Sequence, residues 1–171
     1  MSIAENVAAI RARIDAAAIA AGRDPKEIQL CAATKMNDAQ AVREAIAAGV
    51  DLCGENRVQE LVAKQKENAY EGAPVHFIGH LQTNKVKQVV GKVDVIQSVD
   101  SLRLLKAIDA EAAKQGIVQN ILLEINVGGE ESKSGFSPEE VLPPYRTNQR
   151  ISPHFRPRTH DNPPDQPKFR R

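Results

Sequence analysis

Ile28-Gln29-Leu30-Cys31-Ala32-Ala33-Thr34-Lys35 is the stretch that decides the fold class. It is short, mostly apolar and free of polar alternation, as expected of a strand buried on both faces. A helical stripe precedes it. Ile3, Val7, Ile10, Ile14 and Ala18 share a helix face, Gly22 suits the C-cap, and Asp24-Pro25 turns the chain. After it, Asp38 is placed to N-cap a helix through Ala48, and Gly49 stops that helix. The same alternation then repeats. Strands are expected at Val50 to Cys53, Val75 to Ile78, Val93 to Gln97 and Asn120 to Val127. Helices are expected at Arg57 to Glu67, Asn84 to Val90 and, capped by Ser101, through Lys114. Ser137-Pro138-Glu139-Glu140 reads as the N-cap, N1 proline and capping-box glutamate of one more helix.

Short buried strands separated by helices imply an α/β fold with a parallel sheet and right-handed crossovers. An open doubly wound sheet and a (β/α)8 barrel of TIM type both fit. No G-x-G-x-x-G follows the first strand, which weakens the dinucleotide-binding version. No repeat of fixed period is visible.

The 171 residues carry a formal net charge of +1, suited to one domain with its own core. No apolar run approaches the length of a membrane span, and the N-terminus lacks the features of a signal peptide. Two cysteines, Cys31 and Cys53, make no disulfide framework. These features lead us to expect a reduced, cytoplasmic protein. The charge is uneven. Residues 144–171 hold seven Lys/Arg against two Asp, six of the ten prolines, and no Gly, Ala, Leu, Val or Met. Two kinds of sequence meet near Pro143-Pro144: a body over 1–143 and a basic, Pro-rich tail over 144–171.

Lys35 is the most informative candidate. Strand alternation puts Cys31, Ala33 and Lys35 on one face, and the two small residues leave room beside the lysine. The carboxyl end of a parallel strand is where such folds bind ligands. Partial burial there would free the amine for Schiff-base chemistry. A solvated lysine past a strand end is the alternative on spacing alone. Gly54-Glu55-Asn56 opens a helix, whose free N–H groups and Asn56 side chain suit an anion; a glycine turn with an Asn N-cap is the plainer reading. His76 and His80 lie four apart across a strand and loop, without a Cys or carboxylate cluster. No metal site is expected, and His80 is read as a hydrogen-bonding group at the mouth of the sheet. Ser132-Lys133-Ser134-Gly135 is a polar loop. Lys85, Lys87 and Lys92 form a mild basic face of the kind that is usually solvated. No nucleophile-elbow motif is present.

Several motifs occur in a fixed order. They are Ala33-Thr34-Lys35, Gly54-Glu55-Asn56-Arg57-Val58-Gln59-Glu60, the His76-to-Lys85 segment HFIGHLQTNK, Ile96-Gln97-Ser98-Val99-Asp100 and Ser132-Lys133-Ser134-Gly135-Phe136. Over residues 1–143 the chain resembles the pyridoxal phosphate homeostasis protein family. The resemblance implies a barrel similar to the N-terminal domain of alanine racemase, with about five of its eight strands here. It implies that Lys35 holds pyridoxal 5′-phosphate (PLP) as a Schiff base, with Asn56 and His80 as weaker candidates for cofactor neighbours. It further implies buffering or delivery of PLP, with PLP-requiring apoenzymes as recipients, rather than catalytic turnover. No catalytic residue, nucleic-acid partner or membrane contact is expected. Oligomeric state is not legible.

Two other functions are weighed. A PLP-dependent amino-acid racemase would need a second base across the cofactor. A non-enzymatic binder would use the basic tail, but has few aromatics to interleave there, namely Tyr145, Phe155 and Phe169. The tail departs from the family. Shifting the reading of Pro153 to Asp165 by one base is compatible with His-Ile-Ser-Val-Arg-Gly-Leu-Met-Thr-Ile-Pro-Pro-Ile, which resembles the family's sixth strand and its Pro-Pro turn. The tail is therefore expected to be out of frame from about Pro143 and disordered. The phosphate cradle that the family builds in later loops would then be missing, leaving weak affinity for PLP.

Overall fold

The computed structural model describes residues 1–130, 133–140 and 155–157. They divide into two compact units. One comprises Met1–Leu81 with Lys92–Asp94, the other Gln82–Gly91 with the residues from Val95 onward.

In the first unit, helix α1 (Ile3–Ala20) opens with a capping box. Ser2 Oγ accepts from the Glu5 N–H at 3.2 Å, and Glu5 Oε2 accepts from the Ser2 N–H at 2.7 Å. Strand β1 (Cys31–Ala33), helix α2 (Ala39–Ala47), strand β2 (Leu52–Glu55), helix α3 (Val58–Lys66) and strand β3 (Val75–Phe77) follow. Asp38 caps α2 as expected, its Oδ1 accepting from the Ala41 N–H at 2.8 Å. The strands are parallel. Cys31, Ala32 and Ala33 pair with Leu52, Cys53 and Gly54, while Cys53, Gly54 and Glu55 pair with Val75, His76 and Phe77. One face of this sheet packs on the helices, where Cys53, Leu61 and Phe77 are fully buried.

The first strand is shorter than Ile28 to Thr34. Residues 28–30 are captured from outside the ladder: the Arg11 guanidinium donates to the Ile28 carbonyl at 3.1 Å, and the Leu30 N–H donates to Asp51 Oδ2 at 2.5 Å. Arg11 also pairs with that Asp51 oxygen. Partial burial pushes the Asp51 carboxyl up, but the Leu30 N–H and Arg11 outweigh it and hold the pKa below the ordinary 3.8. A depressed folded-state pKa contributes stability above 3.8 that is lost as pH falls through the lower folded value. Asp51→Asn should therefore lower the melting temperature at neutral pH and flatten its decline below pH 4. Thermal melts across an acid series check this; an unchanged acid slope would remove Asp51 from the account.

In the second unit a 3-10 helix (Thr83–Gln88) takes the place of the expected α-helix from Asn84 to Val90. Val86 within it and Val89 and Val90 just after it are buried, and β-branched side chains lower α-helix propensity. Strand β4 (Val95–Val99), helix α4 (Leu102–Gln115) and strand β5 (Gln119–Leu123) follow. Ser101 Oγ caps α4 through the Leu104 N–H at 3.4 Å, and Gly116 ends it in the left-handed conformation at φ 66°. Val95 and Ile96 pair with Asn120 and Ile121 in parallel; the register then shifts before Val99 meets Leu123. That irregularity ends β5 early, and Ile125 makes only an isolated bridge with Phe136. The capping box at Ser137 and Glu140 forms as expected. The course of that helix past Glu140 lies outside the described residues.

The tail yields one correction. Phe155–Pro157 forms a sixth strand, β6, parallel to β5, with Gln119, Asn120 and Ile121 opposite Phe155, Arg156 and Pro157. The expectation of a disordered tail over 144–171 does not hold for these three residues. The open edge of β5 offers backbone donors and acceptors to any extended segment, and the proline falls at the last paired position, where its missing N–H costs least. The rest of 144–171 lies outside the described residues. Among the described residues, no helix is long and apolar enough to cross a membrane.

Candidate functional site

The registers of β1, β2 and β3 bring the sequence candidates together. Ala33 lies opposite Gly54, so Lys35 and Asn56 both follow the carboxyl ends of the paired strands β1 and β2, two residues past that pair. Gly54 lies opposite His76, which sets Asn56 level with Ile78 and places His80 just beyond β3. Cys31, Ala33 and Lys35 are all exposed, so the face they share is open. The lysine is not partly buried as expected, because the residues beside it are too small to cover it. A Cβ on Gly54 would stand 2.9 Å from Cys31 Sγ and 2.7 Å from Ile78 Cδ1, which puts these side chains on the same face and explains why glycine is needed there. Gly79 is tighter still. A Cβ there would come within 2.1 Å of the Asn56 carbonyl oxygen, so only glycine lets the loop after β3 close against Asn56.

The Asn56 Oδ1 is buried and has no hydrogen-bond partner. Asn56 is not the N-cap of α3; Arg57 holds that position without a side-chain cap bond. The expected anion-binding N–H groups are already spent. Glu55 Oε1 accepts from the Asn56 N–H at 2.8 Å and the Arg57 N–H at 3.4 Å, so a carboxylate of the protein itself occupies the helix N-terminus. His80 is exposed and His76 half-buried. Among the described residues, no group of three or more His, Cys, Asp or Glu could hold a metal ion.

Beneath this face lies a buried polar cluster that the sequence reading missed. Glu55 is fully buried and Lys64 nearly so, at 5% exposure. Lys64 Nζ donates to Glu55 Oε2 at 2.8 Å, to Glu60 Oε2 at 3.1 Å and to the Thr34 carbonyl at 2.7 Å. Thr34 Oγ1 and the Tyr70 hydroxyl each donate to Glu55 Oε2 at 3.0 Å. Burial, reinforced by Glu55, pushes the Tyr70 hydroxyl well above its ordinary value, so it stays a donor. The only signal in the sequence was the four-residue spacing of Glu60 and Lys64, which also describes a solvated helix face.

Both cysteines are free; Cys53 is buried and Cys31 exposed. Burial, with Cys31 and Glu55 adding to it, pushes the Cys53 thiol up to about 11. Partial desolvation raises the Cys31 thiol as well, although the residue as a whole is open to solvent. In the second unit, Asn126 Nδ2 donates to the carbonyls of Glu130 and Lys133, at 2.9 and 3.3 Å, and so folds back the loop that carries Ser134 and Gly135. Lys133 pairs with Glu130 at 2.7 Å on the surface, and Ser132 lies outside the described residues.

Residues 3–158 match the profile of the alanine racemase N-terminal domain family. The pyridoxal phosphate homeostasis protein of Aquifex aeolicus is 37% identical over 91% of this chain and 78% of its own length. That of Pseudomonas aeruginosa is 43% identical over 82% of this chain, which spans only 61% of that relative. Among solved structures, PipY of Synechococcus elongatus with PLP bound superposes with a TM-score of 0.75 at 32% identity, covering 92% of this chain and 68% of that one. A profile matched over most of the length, with relatives of this identity, shows that the chain belongs to the pyridoxal phosphate homeostasis protein family and carries the alanine racemase N-terminal-like α/β fold as an incomplete barrel.

Proposed function

We propose that this chain binds PLP as a Schiff base on Lys35 and serves in PLP homeostasis, holding the cofactor and releasing it to apoenzymes that require it. One observation carries the reading. Lys35 and Asn56 follow the ends of the paired strands β1 and β2, the Asn56 Oδ1 is buried without a partner, and the face beside them is floored by Cys31, Ala33 and Gly54. A buried amide without a partner costs free energy unless a ligand meets it. PLP brings a phenolate oxygen beside the aldehyde that an amine attacks, and an amide presents either its NH2 or its oxygen on turning about its last bond. The small residues leave room for a flat ring. The PLP-bound relative with the same fold adds support.

When bound, PLP supplies an electrophilic aldehyde. Lys35 would hold that group covalently through its Nζ, with the aldehyde oxygen released as water. Asn56 would orient the ring through its amide, and Gly79 lets the backbone close on Asn56. His80 is assigned a place at the rim, beyond β3.

The test uses the chain incubated with PLP, reduced with borohydride and mapped by peptide mass spectrometry. The reduced pyridoxyl group is expected on Lys35, with no amino-acid racemisation detected. Cys31 provides a second readout because it shares the Lys35 face, whereas Cys53 points into the helix layer. Under native conditions a small alkylating reagent should modify Cys31 and spare Cys53 until the protein is denatured. PLP should slow modification of Cys31 severalfold. Equal Cys31 rates with and without PLP would place the cofactor elsewhere.

A further inference from the structure

We propose that Glu60 and Lys64, four residues apart on α3, are positioning residues for Lys35, gripping the peptide groups on either side of it and so fixing where its amine stands. This rests on the reading of Lys35 as the Schiff-base lysine.

The geometry is specific to Lys35. The carbonyl that Lys64 Nζ binds at 2.7 Å belongs to the peptide joining Thr34 to Lys35. The N–H that Glu60 Oε2 binds at 2.7 Å is that of Met36, and belongs to the peptide joining Lys35 to Met36. The two grips are one unit, since Lys64 Nζ also donates to Glu60 Oε2 at 3.1 Å. Behind them Glu55, fully buried, holds Lys64 at 2.8 Å.

Lys35 needs such support because the sheet no longer supplies it. The Thr34 N–H to Gly54 carbonyl bond, at 2.9 Å, is the last rung of the β1–β2 ladder. Met36 then turns into the left-handed region at φ 61°, which a residue with a Cβ rarely adopts. The turn's own bonds are modest: the Asn37 N–H reaches the Thr34 carbonyl at 3.2 Å, and Asn37 Nδ2 the Lys35 carbonyl at 3.0 Å. Strained backbone of this kind persists where surrounding groups over-determine it. The Met36 N–H, with help from Lys64, holds the Glu60 carboxyl below its ordinary value, so the grip on Met36 is charge-assisted at neutral pH. A lysine carries its amine on four rotatable bonds. A small rotation of its backbone therefore sweeps Nζ widely, and imine formation requires close approach to one carbon.

Glu60 is the residue to change, because its side chain remains 23% exposed and it can be shortened without opening the core. The full chain is titrated with PLP, following imine absorbance, the rate of its appearance and borohydride trapping at Lys35, with a thermal melt of each variant. Glu60→Ala should weaken capture at Lys35 about tenfold and slow it, the loss of one charge-assisted hydrogen bond, while the melt moves by only a few degrees. Glu60→Gln keeps an acceptor for the Met36 N–H and should recover most of the capture. A merely structural role would lower the melt of both variants and leave capture at Lys35 intact. Parent-like affinity and rate in Glu60→Ala, or a Glu60→Gln as impaired as Glu60→Ala, overturns the proposal. Undiminished trapping in Lys35→Ala overturns the Schiff-base reading itself and the proposal with it. A silent Lys35→Ala beside a parent-like Glu60→Ala overturns the proposal alone.

Discussion

Lys35→Ala should abolish stable capture of PLP, reducing borohydride-trapped label to the level shared by the other surface lysines, a loss of well over about tenfold. Any exposed lysine forms a transient imine with a free aldehyde. Lys35 is set apart by its place: a carboxyl strand end, small neighbours, and the unpartnered Asn56 oxygen at the end of the adjoining strand. Lys35→Arg sharpens the test. It keeps the positive charge but presents a guanidinium that does not deprotonate, so electrostatic attraction of the phosphate survives while the covalent bond does not. Lys35 is exposed, and among the described residues its side chain has no hydrogen-bond partner, so both variants should melt within about 0.5 kcal/mol of the parent. Loss of label without loss of fold is the expected pair of results. Trapping retained in Lys35→Arg would show that another amine carries the cofactor.

What the sequence disclosed, and what it hid, follows from the range of the interactions. The α/β alternation was legible because each strand and helix carries its own pattern, and the caps at Asp38, Ser101 and Ser137 are local chemistry. The alignment of Lys35 with Asn56 was half legible. Their positions at strand ends could be read, but the pairing of β1 with β2 that makes those ends neighbours is a long-range property. The burial of Lys64 was not legible. Val58-Gln59-Glu60-Leu61-Val62-Ala63-Lys64 is a polar-faced helix by composition, and nothing local says that its lysine turns inward. It does so because Glu55 on β2 offers a carboxylate in the sheet–helix layer, a position where the strand pattern suggested only a turn. The Glu55 side chain also took over the helix N-terminus, for which the sequence offered an anion or, more plainly, an Asn56 N-cap. The strand at Phe155–Pro157 ran against composition for a related reason: the unsatisfied edge of β5 recruits whatever extended backbone reaches it.

The same cluster gives the largest expected change in stability. Lys64→Met should cost about 3–5 kcal/mol, because it leaves the fully buried Glu55 carboxylate without its counter-ion. A surface pair such as Lys133 with Glu130 is worth about 0–1 kcal/mol, so Lys133→Met serves as the near-neutral control. For a chain of this size the Lys64→Met penalty corresponds to a fall in melting temperature of roughly 10 °C. A fall under about 3 °C would mean that water reaches Glu55 and the pair is not a buried one. Removing both charges does not undo the damage. In Glu55→Leu/Lys64→Met the Asn56 and Arg57 N–H groups and the Tyr70 hydroxyl lose their acceptor, each orphan costing about 1–3 kcal/mol where it stays dry, while the Thr34 hydroxyl keeps the Gly54 carbonyl. The double variant should therefore remain well below the parent, unlike buried ion pairs that apolar residues replace without loss. Lys64→Met also frees the Thr34 carbonyl next to Lys35, so it should impair both folding and PLP capture, whereas Glu60→Ala impairs capture alone. That divergence between two residues one helical turn apart separates the anchor of the fold from the grip on the lysine.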